Sequence, residues 1–278
     1  MSIAKSDFKN KFAQIVVPAQ LFLLDVQKVI NESLSNKEGP VVQTVQYMQE
    51  FPGQHLRPFL VYVSMKSVGK QIDEHTYDRV VKFAASVELL HTASLLHDDV
   101  IDNETVRRGY NTVYKAFGAQ GAILTGNLFY ISALKIASQG LDIIQVQNML
   151  EVVTTMCEGE LHQSSFGNKK KPSAEYLSII EKKTAALIAM ACSETARIIG
   201  VNGVLIKKLE LIGKGLGSMY QLCDDFADGD VIVDETFIWQ EAVQKYMDEI
   251  TTLVNELPGK DGKDNFFAIV KALTAHLI

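Results

Sequence analysis

The sequence predicts an all-α fold, a single-domain helical bundle over residues 1–278, and three observations support this prediction. The chain contains only 6 prolines, and none of them lies between positions 59 and 171. Proline interrupts helices, so this interval can hold several long ones. Apolar residues recur at spacings of three and four, the period of an α-helix, whereas strand-like alternation is rare. Hydrophobic residues make up 47% of the chain, enough for a sizeable core.

Turn-forming residues divide the chain into several segments, most of which are predicted to be helical. Gly, Pro and Asn at residues 36–40 (NKEGP) and 51–53 (FPG) mark the first connections. A helical period follows, carried by Val80, Val81, Ala84, Val87, Leu90 and His91. Further helices are predicted over Gly121–Ile136 and Ile179–Met190, with a connection between them at residues 167–172 (GNKKKP). A last helical period is carried by Leu205, Leu209, Ile212 and Leu216, and a turn is expected at residues 228–230 (DGD).

Charge and composition exclude several classes of function. The net charge of −6 and the lack of a basic stripe argue against a nucleic-acid-binding protein. The three cysteines, Cys157, Cys192 and Cys223, show no zinc or disulfide spacing and suit a reducing compartment. The first residues form no signal-peptide pattern, and no apolar run reaches membrane-spanning length, so no transmembrane segment is predicted. We therefore expect a soluble cytoplasmic protein.

Two copies of one aspartate pattern are the most informative feature of the chain. The first is Asp98–Asp102 (DDVID) and the second is Asp224–Asp228 (DDFAD), and each follows an apolar stretch. On a helix, positions i and i+4 share a face, so the outer carboxylates of each copy would point the same way. Crowded carboxylates repel one another unless a cation lies between them, and oxygen ligands of this kind suit Mg²⁺. Two such faces opposed across a cavity would hold a diphosphate through magnesium, although each copy alone could be a solvated helix end.

Basic residues accompany the first aspartate pattern. Arg107 and Arg108 follow it by about one helical turn, and guanidinium groups hold phosphate through paired hydrogen bonds. Arg57 lies upstream in a second candidate anion-binding segment, Gly53–Pro58 (GQHLRP). Lys183 stands beside Thr184 in a largely apolar helical stretch, where a buried ammonium needs a partner such as phosphate. Each feature alone could be an ordinary surface charge, and their conjunction is what indicates a polyphosphate site.

With these residues the sequence resembles the trans-isoprenyl diphosphate synthases, also called polyprenyl synthetases, over about residues 45 to 230. The pattern from Glu88 to Asp102 (ELLHTASLLHDDVID), followed by Arg107-Arg108-Gly109, is similar to the family's first aspartate-rich region. Gly217–Asp228 (GSMYQLCDDFAD) is similar to the second. The resemblance implies an isoprenoid-synthase-type helical bundle with a central apolar cavity, and a homodimer. It implies head-to-tail condensation of isopentenyl diphosphate with an allylic diphosphate to give a polyprenyl diphosphate.

The resemblance also implies roles for individual residues. Three Mg²⁺ ions would bind to the ligands Asp98, Asp102 and Asp224, supported by the further acidic residues Asp99, Asp225 and Asp228. The substrate diphosphates would be bound by Gln54, His55, Arg57, His91, Arg107 and Arg108, with Arg107 on the allylic diphosphate. The reacting region would be lined by Lys183, Thr184 and Gln221, where the oxygens of Thr184 and Gln221 steady a developing carbocation. Mg²⁺ would neutralise the leaving diphosphate, and no side-chain nucleophile is required.

The chain departs from the family pattern at three places. Gln54 and His55 stand where the family usually has lysine and arginine. This replacement would either weaken the binding of isopentenyl diphosphate or leave more of that binding to Arg57 and His91. Asn127 stands where an aspartate is common. The family usually continues past the second aspartate pattern with a loop that carries a lysine, whereas here the next lysine after Asp228 is Lys245. The lid on that side is therefore predicted to be short.

Small residues upstream of the first aspartate pattern bear on the length of the product. Ala93 and Ser94 lie about one helical turn before Asp98, on the predicted wall of the tunnel into which the product grows. Because these side chains are small, the wall would not block growth, and products longer than farnesyl diphosphate are expected. The same small residues could instead serve only close helix packing.

Three other functions were weighed against this one. An all-helical metal phosphohydrolase would use the adjacent pair His97-Asp98, but it gives no reason for the second aspartate pattern. A terpene cyclase shares the first pattern but usually mixes other ligands at its second metal site. The serious alternative is a non-catalytic or regulatory partner subunit of a prenyl synthase, in which Gln54, His55 and the short lid mark lost activity. Such subunits commonly lose one aspartate pattern, and this chain retains both.

Overall fold

The regular structure of the chain is almost entirely helical. The computed structural model describes residues 11–35, 39–50, 53–167, 169–229 and 233–275. The helices are α1 (Gln20–Ser35), α2 (Pro40–Glu50), α3 (Leu56–Ser67), α4 (Glu74–Ile101), α5 (Val113–Gly140), α6 (Ile143–Phe166), α7 (Ser173–Ile180), α8 (Ala186–Ile199), α9 (Gly203–Asp228), α10 (Trp239–Asn255) and α11 (Lys260–Thr274). A 3₁₀ turn covers Val17–Ala19, a π-helical segment covers Glu181–Ala185, and a small hairpin pairs β1 (Val106–Arg107) with β2 (Tyr110–Asn111). The prediction of an all-α fold is confirmed.

The described residues divide into two compact units. The first unit contains the described parts of Ala19–Phe59 and Glu74–Val146. The second contains the described parts of Ser2–Pro18, Leu60–Asp73 and Gln147–Ile278. The expectation of one domain over residues 1–278 stays a prediction.

The first unit is built around α4. This helix is buried on several faces at once, with Val80, Phe83, Ala84 and Val87 all inaccessible to solvent, because α5 and α1 pack against it. A helix that is apolar on several sides needs neighbours on each of them. The partner helix α5 is bent at Gly118, which has φ 75° and ψ 172°. The burial of α4 fixes the position of its C-terminal end, where the first aspartate pattern begins.

The second unit is built around α8 and α9. The helix α9 lies very close both to α8 and to the π-helical segment before it. A Cβ atom added at Gly217 would lie 2.5 Å from the Cα atom of Ala185, and one at Gly213 would lie 2.7 Å from the carbonyl oxygen of Ile188. Glycine at these positions allows the two backbones to touch. Gln221 follows Gly217 by one turn, so the close approach brings it opposite Thr184.

The predicted segments agree with the structure in most places. The helical periods of residues 80–91 and 205–216 lie in α4 and α9, and Gly121–Ile136 lies in α5. The predicted helical stretch Ile179–Met190 is helical throughout, and its residues Glu181–Ala185 form the π-helical segment. Gly167 and Gly229, with φ values of 51° and 71°, follow the last residues of α6 and α9. The turn residues 36–38, 51–52, 168 and 230 lie outside the described residues. No helix in the described part of the chain is long and apolar enough to span a membrane.

The close approach of α9 to Ala185 generates a test of stability. Gly217→Ala should lower the free energy of unfolding by about 1–2 kcal/mol, because overpacking outweighs the gain in helix propensity. Gly203→Ala, at the start of the same helix with no atom within 4 Å of the new methyl group, is the control. Urea denaturation should show this control to be as stable as the wild type or slightly more stable. Equal stability of the two variants would contradict the packing described here.

Candidate functional site

The first aspartate pattern lies at the C-terminal end of α4. The helical hydrogen bonding continues one residue beyond the helix, since the Asp102 N–H donates to the Asp98 carbonyl at 2.8 Å. Asp98 and Asp102 therefore lie one above the other on one side of the helix end, as predicted. Asp98 is half-buried and Asp102 is exposed, whereas Asp99 points inward and is only 4% exposed. The cluster thus presents two outer carboxylates and retains an inner one.

The hairpin that follows holds the inner carboxylate. Arg107 donates from Nε to Asp99 Oδ1 at 2.8 Å. The turn of the hairpin is formed by Arg108 and Gly109, both with positive φ (56° and 88°), the conformation that suits a two-residue hairpin. Burial raises the pKa of Asp99, and the Arg107 guanidinium opposes that rise by stabilising the charged carboxylate. Arg107, expected on the allylic diphosphate, is engaged with Asp99 in this structure.

The predicted anion-binding residues come together around His91 in the first unit. The pKa of His91 lies well below its usual value, first because of burial and then because of the positive charges of Arg57, Arg108 and Arg107. His91 is therefore a neutral imidazole at physiological pH. Three guanidinium groups within electrostatic reach of one side chain create a positive region, which suits a second diphosphate.

His55 joins this region through Glu88. Its Nδ1 lies 3.2 Å from Glu88 Oε1, and this hydrogen bond raises the pKa of His55 against the opposing effects of burial and Arg108. The preceding Gly53 lies close to the same groups, since a Cβ atom there would be 3.1 Å from Arg108 Nη1. Gln54 lies between them in a segment without regular structure and is partly exposed. Of the two positions Gln54 and His55, only His55 can carry a positive charge, and that charge depends on pH.

The two predicted chain-length residues differ in their exposure. Ala93 is completely buried within the first unit. Ser94 is half-buried, and its hydroxyl donates to the His91 carbonyl at 2.9 Å. Both lie on α4, four to five residues before Asp98. Ser94 is the more accessible of the two side chains.

The second aspartate pattern lies at the C-terminal end of α9, as the first lies at the end of α4. Its middle carboxylate, Asp225, accepts hydrogen bonds from the Tyr176 hydroxyl at 2.6 Å and from Gln221 Nε2 at 2.8 Å. Asp224 is half-buried and Asp228 is exposed. In both patterns, therefore, the second aspartate is held by the protein through hydrogen bonds.

Burial acts on both members of the Tyr176–Asp225 pair. It raises the pKa of Asp225, while the hydrogen bonds from Tyr176 and Gln221 lower it. It also raises the pKa of Tyr176, as does the negative charge of Asp225. Tyr176 thus remains protonated and serves as a permanent hydrogen-bond donor to the carboxylate.

Two of the three predicted catalytic residues, Thr184 and Gln221, form a hydrogen-bonded chain with Asp225. The Thr184 hydroxyl donates to Gln221 Oε1 at 2.9 Å. The orientation of the Gln221 amide is fixed, because the Asp225 carboxylate can accept only from its NH₂ group. Thr184 therefore uses its proton on Gln221 and retains its oxygen lone pairs. With its proton donated to Gln221, the Thr184 oxygen can act toward a ligand only as a hydrogen-bond acceptor.

Lys183 lies on the π-helical segment and is paired with α6. Its Nζ forms an ion pair with Glu160 Oε2 at 2.5 Å, and the neighbouring Lys182 pairs with Glu158 at 3.2 Å. Gly159 stands between the two acids, and a Cβ atom there would lie 2.8 Å from the Lys183 amide nitrogen. A π-helical segment inserts an extra residue into a helix and commonly marks functional positions.

A cavity in the second unit collects these side chains. Its volume is about 130 Å³, and it is lined by Gln163, Lys171, Tyr176, Ile179, Ile180, Lys183, Thr184, Gln221 and Asp225. Its walls combine two lysines, one carboxylate and the Thr184 oxygen with two isoleucines. This mixture suits a ligand that has an anionic head and an apolar body.

The donor set at both helix ends fits Mg²⁺. Carboxylates at a helix C-terminus face the negative end of the macrodipole, so a cation there relieves an unfavourable interaction. Within the described residues, no three His, Cys, Asp or Glu side chains are already grouped to hold a metal ion by themselves. Mg²⁺ retains waters and binds through one or two carboxylates completed by substrate phosphates, so such a grouping is not required.

Sequence reasoning missed several partners of these residues. Tyr176 lies 49 residues from Asp225, and no local pattern marks it. Glu160 could have been suspected from the run Glu158-Gly159-Glu160 late in α6, where two acids flank a glycine. Glu88 stood within the recognised pattern but received no role, and it is the partner of His55. His97, which precedes the first aspartate pattern, has its Nε2 atom 3.3 Å from the Ile123 carbonyl oxygen.

Comparison with known proteins gives a consistent result. The family model described as polyprenyl synthetase matches residues 39–235. The octaprenyl diphosphate synthase of Haemophilus influenzae is 32% identical over 208 residues, which cover 73% of this chain and 62% of that protein. The chain spans 56 to 65% of the length of the first curated relatives it matches.

Solved structures with this fold cover nearly the whole chain. A decaprenyl diphosphate synthase from Rhodobacter capsulatus has a TM-score of 0.86 at 19% identity and covers 96% of this chain and 99% of its own. A polyprenyl synthase from Caulobacter crescentus, complexed with calcium and isoprenyl diphosphate, has a TM-score of 0.83 at 20% identity and covers 95% and 97% of the two chains. At these identities the likeness establishes the isoprenoid-synthase fold.

The His55–Glu88 contact generates a test by pH. Because the pKa of His55 is raised above 6.5 in the folded protein, its contribution to stability is fully present below that pH. The contribution is lost as the pH rises through the folded-state value. His55→Gln should therefore destabilise the protein more at about pH 5.5 than at about pH 8.5, measured by urea denaturation. The difference should disappear in a Glu88→Gln background, and its persistence there would contradict the assignment.

Proposed function

Because the chain belongs to the polyprenyl synthetase family, we propose that it is a trans-prenyltransferase. Its substrates would be isopentenyl diphosphate and an allylic diphosphate, condensed head to tail to give a polyprenyl diphosphate. The observation that carries the proposal is the repeated design of the two aspartate clusters. Each lies at the C-terminal end of a long buried helix, and each has its middle carboxylate held by hydrogen bonds.

The outer aspartates are the proposed metal ligands. Asp98, Asp102 and Asp224 would hold Mg²⁺, in line with the calcium named for the Caulobacter crescentus structure. When bound, the metal supplies positive charge that stabilises the departing diphosphate. The hydrogen bonds to Asp99 and Asp225 hold the two clusters in fixed orientations. Asp228 has a supporting role in the proposal.

The chain's own residues would position the two substrates. The positive region formed by Arg57, Arg108 and His55 suits the diphosphate of isopentenyl diphosphate, whose double bond attacks the allylic carbon. Neutral His91 can donate a hydrogen bond to this substrate without adding charge.

The Thr184–Gln221–Asp225 chain would act on the charge that develops on the allylic carbon. Its fixed direction leaves the Thr184 oxygen as an acceptor toward the cavity. Oriented dipoles of this kind stabilise developing positive charge without reorganising during the reaction. Lys183, whose ammonium group is paired with Glu160, lines the same cavity beside Thr184.

A cytoplasmic location belongs to the same proposal. Cys157, Cys192 and Cys223 are all thiols, and Cys157 is exposed. Burial raises the pKa of Cys192 to about 12. An exposed thiol suits a reducing compartment.

Loss of an outer aspartate from either cluster tests the activity. Wild-type protein with Mg²⁺, labelled isopentenyl diphosphate and allylic diphosphates of several lengths should give elongated products on chromatography. Asp98→Ala or Asp224→Ala should lower the rate by about a thousandfold, because charge stabilisation at the leaving group is lost. Asp78→Ala, which removes an exposed carboxylate from the other end of α4, should leave the rate unchanged. Near-normal rates in either cluster variant would refute the metal-binding role, and an inactive wild type would favour a non-catalytic subunit.

We also propose a homodimer that forms through the outer face of α5. Leu124 and Ile131, seven residues apart on one side of this helix, are 57% and 63% exposed. Ile131→Glu should shift sedimentation at micromolar concentration from dimer to monomer, because a charge would be buried without a partner. Leu24→Glu on α1, at an equally exposed apolar position, should leave the dimer intact. A monomeric wild type would contradict this proposal.

Product length can be tested on α4. We expect products longer than farnesyl diphosphate from the wild type, and shorter products from Ala93→Phe, because a ring would fill the path of the growing chain. Ala93 is completely buried, so Ser94→Phe at the half-buried neighbouring position is a second variant that keeps the test valid if the first misfolds. Total turnover of a short allylic substrate is the control for an intact metal site. An unchanged product distribution in an active variant would place the end of the tunnel elsewhere.

A further inference from the structure

Three consecutive lysines precede α7, and they lie in different surroundings. Lys169 and Lys170 are exposed, and Lys170 forms an ion pair with Glu235 at 2.8 Å. Lys171 is half-buried and lines the cavity that also contains Lys183 and Asp225. The three positions therefore offer a direct comparison between a lysine at the cavity and lysines outside it.

The backbone of Lys171 is fixed by the segment that follows the second aspartate cluster. Lys171 forms a parallel β-bridge with Val233, and its carbonyl accepts the Asp234 N–H at 3.0 Å. The Asp234 carboxylate accepts the Ser173 amide and hydroxyl at 2.6 and 2.7 Å. These bonds hold the backbone on both sides of Lys171, so its Cα atom has a fixed position beside the cavity.

Asp234 is suited to this structural role. Its other oxygen accepts the hydroxyl of Thr236, and the hydrogen bonds from Thr236 and Ser173 lower the pKa of Asp234 to about 2. The carboxylate is therefore ionised across the physiological range. The region after Asp228, predicted from sequence to be a shortened lid, here includes the residues that fasten the lysine.

The charges around the cavity indicate that Lys171 is available for a ligand. Lys183 is paired with Glu160, and Asp225 receives its hydrogen bonds from Tyr176 and Gln221. Lys171 forms no ion pair with any residue in the described ranges. An anion in the cavity would supply an ionic partner for this lysine. Between Asp228 and Lys245 the sequence contains no lysine or arginine that could supply a positive charge beside the second aspartate cluster.

We propose that Lys171 is a further substrate-binding residue that contacts the diphosphate group of the allylic substrate. The inference rests on the proposed function, because it assigns Lys171 to the diphosphate that the second aspartate cluster would bind. An ammonium group on a fixed backbone serves as a point charge for phosphate. Lys171, in the connection between α6 and α7, would thus add its positive charge to that of the metal ions.

The first test measures binding and does not require turnover. Inorganic pyrophosphate with Mg²⁺ is titrated into wild type, Lys171→Met, Lys171→Arg and Lys170→Met by calorimetry. Lys171→Met should bind about tenfold more weakly, since a hydrogen bond to a charged group is lost. Lys171→Arg should retain most of the affinity, and Lys170→Met should match the wild type. Equal affinity in the two methionine variants, or no pyrophosphate binding by the wild type, would overturn the inference.

The second test separates this inference from the proposed function. In the condensation assay, Lys171→Met should raise the KM for the allylic diphosphate about tenfold and leave the KM for isopentenyl diphosphate unchanged. An active wild type with equal KM values in both methionine variants would refute the role of Lys171 and leave the function standing. An inactive wild type whose pyrophosphate affinity depends on Lys171 would refute the function and support the anion-binding role of the lysine.

Discussion

The constraint on which the rest of the site depends is the position of six aspartates at the C-terminal ends of two long helices. Carboxylates there face the negative end of the helix macrodipole and one another, so the arrangement is unfavourable without cations. The protein offsets part of this cost itself. In the first unit Arg107 neutralises Asp99, and in the second Tyr176 and Gln221 donate hydrogen bonds to Asp225. The outer carboxylates Asp98, Asp102 and Asp224 are the proposed ligands of a divalent ion.

Because the inner carboxylates need hydrogen-bond donors from the protein, each unit has a structural feature beside its aspartate cluster that positions those donors. In the first unit, the hairpin turn at Arg108-Gly109 places Arg107 against Asp99. In the second, the close contact at Gly217 brings Thr184 within hydrogen-bonding distance of Gln221. In both units, the backbone conformation places polar side chains within hydrogen-bonding distance of their partners. A small change in helix packing would propagate directly into the geometry of the site.

Local patterns in the sequence account for what could be predicted. The spacing of Asp98 and Asp102 follows from the helical period, and the structure continues that period through Asp102. The contacts that could not be predicted join residues far apart in the chain, such as Tyr176 with Asp225 and Lys171 with Val233. The π-helical segment at Lys183 also escaped prediction, because an inserted residue leaves the apolar period nearly unchanged over so short a stretch.

The central proposal is that Asp98, Asp102 and Asp224 hold the metal ions that bind the allylic diphosphate. The most direct measurement is a crystal structure of the protein with Mg²⁺ and an allylic diphosphate analogue that cannot ionise. The account predicts metal ions ligated by Asp98, Asp102 and Asp224, all contacting the same diphosphate group. A diphosphate bound to metal at one cluster alone, with the other cluster free of metal at saturating Mg²⁺, would contradict it.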